Sequence, residues 1–197
     1  MLFRSEAVGA GMAGDHALAS RLISASLALV PDRGELWANL AIAARSVGEA
    51  VRPGVYTRRA LTLRADRHEI WALLADILTP SDPEGARKAY RTALALEPLH
   101  APTWTNLALL LRQQSHRSGT LAYSRRALTI DTANVENWNN FGLALADLGR
   151  LGEARAAFEV GISIDGRLAS PHANLANILV NSAHVEEGLA SYRRAIA

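Results

Sequence analysis

Trp37-Ala38-Asn39-Leu40-Ala41 recurs along this chain as Trp71-Ala72-Leu73-Leu74-Ala75, Trp104-Thr105-Asn106-Leu107-Ala108, Trp138-Asn139-Asn140-Phe141-Gly142 and His172-Ala173-Asn174-Leu175-Ala176. Successive starts lie 34, 33, 34 and 34 residues apart. A fixed period of this size marks a chain built by stacking one supersecondary unit. About twenty residues after each start comes a second phrase: Arg59-Ala60-Leu61-Thr62-Leu63, Thr92-Ala93-Leu94-Ala95-Leu96, Arg126-Ala127-Leu128-Thr129-Ile130, Val160-Gly161-Ile162-Ser163-Ile164 and Arg194-Ala195-Ile196. Each unit therefore predicts two amphipathic helices.

Helical spacing supplies the physics of the unit. Trp37, Leu40, Ala41 and Ala44 stand at i, i+3, i+4 and i+7 and form one apolar stripe on a first helix. The small member of each stripe (Ala41, Ala75, Ala108, Gly142, Ala176) predicts close approach of a neighbouring helix. The second helix offers a bulky ring near its middle: Tyr56, Tyr90, Tyr123, Phe158 and Tyr192. Trp37, Trp71, Trp104 and Trp138 are the expected structural core of the repeats, each worth roughly 3 to 5 kcal/mol if truncated to alanine.

On these phrases the chain resembles an array of tetratricopeptide repeats. The resemblance implies an all-α, right-handed solenoid of antiparallel helix pairs, about eleven to twelve helices in all, with the first helix of each pair lining a concave groove. It predicts a single array over residues 1–197. Residues 1–33 form a degenerate leading repeat, followed by repeats at 34–67, 68–100, 101–134, 135–168 and an incomplete one at 169–197. In the leading segment Phe3 falls where the tryptophans stand, Leu27-Ala28-Leu29-Val30-Pro31 supplies the closing phrase, and a second helix is expected near residues 15–30.

Composition fits this class. Apolar residues make up 49% and aromatics only 6%. No run of 18 or more apolar residues predicts a membrane span, and the amino-terminal residues lack a secretory apolar core. With no cysteine, disulfides and thiolate chemistry are excluded, and a cytoplasmic location is the default expectation. The net charge is +2, with Lys88 the only lysine. Arginine pairs recur before the small residue of the second helix at Arg58-Arg59, Arg125-Arg126 and Arg193-Arg194, but Arg91-Thr92 and Glu159-Val160 break the series. The pattern favours a solvated ridge covering apolar surface over a phosphate-tracking stripe, so a nucleic-acid partner is disfavoured.

Other motifs yield no chemistry. Gly9-Ala10-Gly11-Met12-Ala13-Gly14, with Asp32 after it, matches a dinucleotide fingerprint. That mechanism needs a preceding strand and a βαβ unit, and neither is legible here, so the glycines read as a turn and no cofactor is expected. The six histidines form no H-E-x-x-H pattern and there is no phosphate loop or nucleophile elbow. No metal site or catalytic residue is expected from this chain.

The informative positions lie two residues after each aromatic: Asn39, Leu73, Asn106, Asn140 and Asn174. Asparagine has poor propensity inside a helix. One reading is that these amides bond across to the adjacent repeat and fix the stacking. The other comes from resemblance, since the repeats are most similar to those of the O-linked N-acetylglucosamine transferase superhelix, where an asparagine ladder clamps the backbone of an extended peptide. A carboxamide both donates and accepts, so it can pair with a peptide N–H and C=O whatever the side chain. On this reading the groove holds Asn39, Arg45, Asp76, Asn106, Arg112, Gln113, Asn139, Asn140, Asp147, Asn174, Asn177 and Asn181.

Departures from the pattern set local expectations. Thr79-Pro80-Ser81-Asp82-Pro83 must end a first helix by about Leu78, and Pro53-Gly54 falls in the first turn of a second helix. The chain stops within the last second-helix phrase. A solenoid needs a capped final face, so a downstream region, a partner or self-association through this repeat is expected. Three functions follow in order: a non-catalytic protein-interaction scaffold for extended peptides, the substrate-recognition arm of a larger enzyme such as a glycosyltransferase, and an anionic-surface or nucleic-acid binder.

Overall fold

The computed structural model describes residues 16–49, 52–182 and 184–196. Phe3 and the Gly9–Gly14 motif lie outside the described residues, as does the first helix of the leading repeat. Among the described residues every regular element is α-helical. There are eleven: α1 (His16–Leu29), α2 (Gly34–Ser46), α3 (Arg52–Leu63), α4 (His68–Leu78), α5 (Pro83–Leu96), α6 (Ala101–Gln113), α7 (Arg117–Ile130), α8 (Val135–Asp147), α9 (Leu151–Ile164), α10 (Ala169–Asn181) and α11 (Val185–Ile196). Connections of three to five residues join them. Each of α2–α3, α4–α5, α6–α7, α8–α9 and α10–α11 packs as a pair, and so short a connection forces the partners to run in opposite directions.

The chain divides into two compact units between Pro98 and Leu99. In the first, α1 packs on α2, and Ile23, Leu27, Leu36 and Leu40 form a core flanked by Leu22, Trp37 and Tyr56. In the second, Leu145, Ala154, Ala157, Phe158, Leu175, Ile178 and Leu179 are enclosed together, with Trp138, Phe141 and Leu143 against them. The small stripe residues are sealed: Ala41, Ala75 and Ala176 expose nothing and Ala108 only 1%. Helix ends follow local chemistry. Asp82 caps α5 by accepting from the Gly85 N–H at 2.9 Å with Pro83 in the first turn. Asn134 caps α8 through the N–H groups of Glu136 and Asn137. The turn between paired helices passes through positive φ at Gly48 (80°), Ser115 (60°) and Gly149 (76°), so one serine holds a place that glycine fills without strain.

The tryptophans are half-buried, not enclosed. Their indole N–H groups explain why: Trp37, Trp71 and Trp138 donate to the carbonyls of Pro31, Ala65 and Thr132, six residues back, at 2.8, 2.9 and 2.8 Å. Each indole ties its helix to the preceding loop. His172 makes the same contact from Nε2 to the Gly166 carbonyl at 2.9 Å. Because that carbonyl accepts, the proton sits on Nε2, and Nδ1 is left buried with no partner.

The second-helix rings Tyr56, Tyr90, Tyr123 and Phe158 do not share one site. Tyr56 and Tyr123 pack tilted against Trp37 and Trp104, with centroids 5.8 and 5.3 Å apart. Beside them Thr57 and Ser124 fill the enclosed position at 0% and 2% exposure. Tyr90 and Phe158 occupy that position in their own repeats, at 3% and 0%. The physical reason is a register step of one residue, which turns a side chain through about 100° on a helix.

Candidate functional site

First helices carry the candidate side chains, and within each unit successive first helices touch: α2 with α4, α6 with α8, and α8 with α10. In the first unit the residues two after Trp37 and Trp71 line one depression. Asn39 and the buried Leu73 line a depression of about 180 Å³ together with Ala38, Ile42 and Ile70, with Glu35, Arg67 and Glu69 at its rim. Arg67 donates to Glu69 at 2.9 and 3.2 Å and to Glu35 at 3.4 Å, so one guanidinium joins successive repeats. The Arg67 hydrogen bond, with smaller contributions that include its charge, holds the Glu69 carboxyl down at about 2. Asp76 accepts from the Tyr90 hydroxyl at 2.5 Å and faces Arg45 at 3.5 Å.

In the second unit, Asn106, Asn139, Asn140 and Asn174 are all half-buried on α6, α8 and α10. Asn174 Nδ2 donates to Asn139 Oδ1 at 2.8 Å, so one amide hydrogen is used between repeats while its Oδ1 and second N–H are not used in that bond. Asn39 and Asn140 make no side-chain hydrogen bond among the described residues. Arg112 holds Asp147 of the next repeat through Nε at 2.6 Å and Nη2 at 3.4 Å. Asn177 accepts from the Tyr192 hydroxyl, and Asn181 and Gln113 are exposed. Several neighbours expected to read a ligand's side chains are thus paired with one another or with a tyrosine.

Two features escaped sequence reasoning. Asn137, 3% exposed, lies one residue before Trp138, accepts from Thr105 Oγ1 at 2.9 Å and donates to the Asp131 carbonyl at 3.0 Å. It cements two repeats and faces no solvent, and its place on the buried side of the stripe was the available signal. The second is a cleft of about 400 Å³ where α6 turns into α7, which brings Arg112, Gln113 and Asp147 together with Ser115, Arg117 and Leu109. Its turn residues belong to no first-helix pattern.

Among the described residues no group of three His, Asp or Glu side chains could hold a metal ion, and no helix is long and apolar enough to cross a membrane. The arginines of the recurrent pairs are exposed, and Arg125 lies over the Phe141 ring at 5.9 Å, where it covers apolar surface.

Comparison with known proteins agrees with this architecture. The tetratricopeptide repeat model matches residues 135–167. The chain is similar to PilW, a widely conserved type IV pilus biogenesis factor (TM-score 0.88, 18% identity, 96% of this chain and 89% of that one). It is also similar to a tetratricopeptide repeat protein from Parabacteroides merdae (0.82, 18%, 98% and 77%), and to YrrB, described as a TPR protein with an unusual peptide-binding site (0.70, 20%, 88% and 90%). At these identities the likeness shows the fold, that of tetratricopeptide repeats. Among curated proteins, Protein NPGR2 of Arabidopsis thaliana is 31% identical over 88 residues, 42% of this chain and 12% of that protein. Tetratricopeptide repeat protein 7B of Homo sapiens is 24% identical over 132 residues, 66% of this chain and 16% of that protein. The chain spans less than a fifth of the length of either relative.

Proposed function

We propose that this chain is a non-catalytic protein-interaction scaffold whose first-helix face holds extended peptide segments through Asn39, Asn106, Asn140 and Asn174. The observation that carries the reading is the recurrence of a carboxamide at one helical position, half-buried each time, where an alanine or leucine would favour the helix more. Asn39 and Asn140 keep donor and acceptor uncommitted, and Asn174 keeps an acceptor and an N–H beyond its bond to Asn139. A structural neighbour with a peptide-binding site, YrrB, is consistent with the reading.

Four such amides supply roughly 2 to 6 kcal/mol net, so affinity in the micromolar range or weaker is expected once ordering of the peptide is subtracted. Leu73 interrupts the amide series, and the apolar depression around it with Ile42 and Ile70 suits an aliphatic side chain. Screening the chain against an array of unstructured peptides tests the proposal: hits are expected, and Asn140→Ala/Asn174→Ala is expected to lose them. Hits retained at full affinity by that double variant refute the ladder.

A further inference from the structure

The geometry points to a carboxylate-binding subsite in the cleft between α6, the start of α7 and the end of α8, one that takes an acidic side chain of a bound segment. The charged residues that line the cleft of about 400 Å³ are two arginines, Arg112 and Arg117, and one aspartate, Asp147. Arg112 is satisfied by Asp147 at 2.6 Å. Arg117 forms no ion pair among the described residues, so the cleft keeps one uncompensated positive charge. One further carboxylate closes that balance.

Three features favour a carboxylate on a short aliphatic stem. Leu109, 37% exposed, gives the cleft an apolar wall. Gln113 and Ser115 place an amide and a hydroxyl at its edge, whereas the Thr120 hydroxyl is already spent on the His116 carbonyl at 3.1 Å. The first turn of α7 carries no acidic residue and its cap residue His116 makes no side-chain cap bond, so the N-terminal end of this 14-residue helix adds positive potential to the two arginines. Arginine pairs well with carboxylates because its planar fork can donate two parallel hydrogen bonds. Asp147 then acts as an internal competitor, which tunes the subsite to exchange one carboxylate for another.

The inference deepens the peptide-binding reading and rests on it for the origin of the carboxylate, but its test uses no partner peptide. The full chain, labelled with nitrogen-15, is titrated with N-acetyl-glutamate α-amide and with N-acetyl-glutamine α-amide at constant ionic strength. The glutamate probe is expected to shift the Nε–H signals of Arg112 and Arg117 and the backbone N–H signals of Ser118 and Gly119 along one saturable curve, and the glutamine probe to leave them in place. Arg117→Gln should weaken the probe at least five-fold, and Asp147→Asn should strengthen it at least three-fold by removing the competitor. Equal response to both probes, no saturable shift, or an unchanged affinity in Arg117→Gln overturns the subsite. Tighter binding of inorganic phosphate at the same signals overturns the carboxylate assignment. Failure of the asparagine ladder leaves these titrations unaffected, so the two proposals fall separately.

Discussion

Gly142→Ala is expected to destabilise the second unit, although alanine is the better helix former. Gly142 sits one turn after Trp138 on α8, where the equivalent residues are Ala41, Ala75, Ala108 and Ala176. A Cβ built at Gly142 lies 2.6 Å from Phe158 Cε1 and 2.9 Å from Cδ1 and Cζ. The ring would have to retreat by about 1 Å to restore ordinary carbon contacts. Phe158 is fully buried among Leu145, Ala157, Leu175 and Leu179 and has nowhere to go. Helix propensity returns about 0.8 to 1 kcal/mol, while overpacking a close-fitted core costs about 1 to 3 kcal/mol. The steric term wins by about 1 kcal/mol. Urea unfolding followed by circular dichroism measures it, and a cycle with Phe158→Leu should show a favourable coupling of about 1 kcal/mol, because the smaller side chain makes room for the methyl group. A Gly142→Ala variant more stable than the parent refutes the argument.

Further expectations rest on the loop contacts. Trp138→Phe removes the hydrogen bond to the Thr132 carbonyl and should lower stability by about 0.5 to 1.5 kcal/mol, read as a fall in Tm. His172→Trp keeps a donor for the Gly166 carbonyl and removes the unpartnered Nδ1, so Tm should rise, by about 1 kcal/mol in stability. Glu69, at about 2 instead of 4.5, has its folded value depressed. Its contribution to stability is therefore present above pH 4.5 and lost as pH falls from there toward 2. Carboxyl carbon-13 titration should give a midpoint near that value in the parent and near the ordinary glutamate value in Arg67→Gln.

The stripes that build the helices were legible because the 33- to 34-residue repeat and the i, i+3, i+4 spacing encode local structure directly. The one-residue step that separates Tyr56 and Tyr123 from Tyr90 and Phe158 was also present in the spacing from each ring to the small residue of the second-helix phrase, four residues against three, but its consequence needs the helix axis to be known. The Arg112 to Asp147 and Arg45 to Asp76 pairs were not legible as pairs. They span 35 and 31 residues and depend on adjacent first helices lying in contact. Asn137 and Asn140 look alike in sequence, yet three positions on a helix separate a cementing amide from an open one. The cleft at Arg117 was hidden for a different reason: its walls come from a turn, a second helix and the next repeat, which no single periodicity joins.

The most direct measurement follows the side-chain Nδ2–H signals of Asn39, Asn106, Asn140 and Asn174 while a peptide from the array is titrated in, beside the same peptide N-methylated along its backbone. The account predicts that these amide signals move together with the parent peptide, survive changes of the peptide's side chains, and stay in place with the N-methylated form. Amide signals that remain fixed while the peptide binds elsewhere on the chain would contradict it.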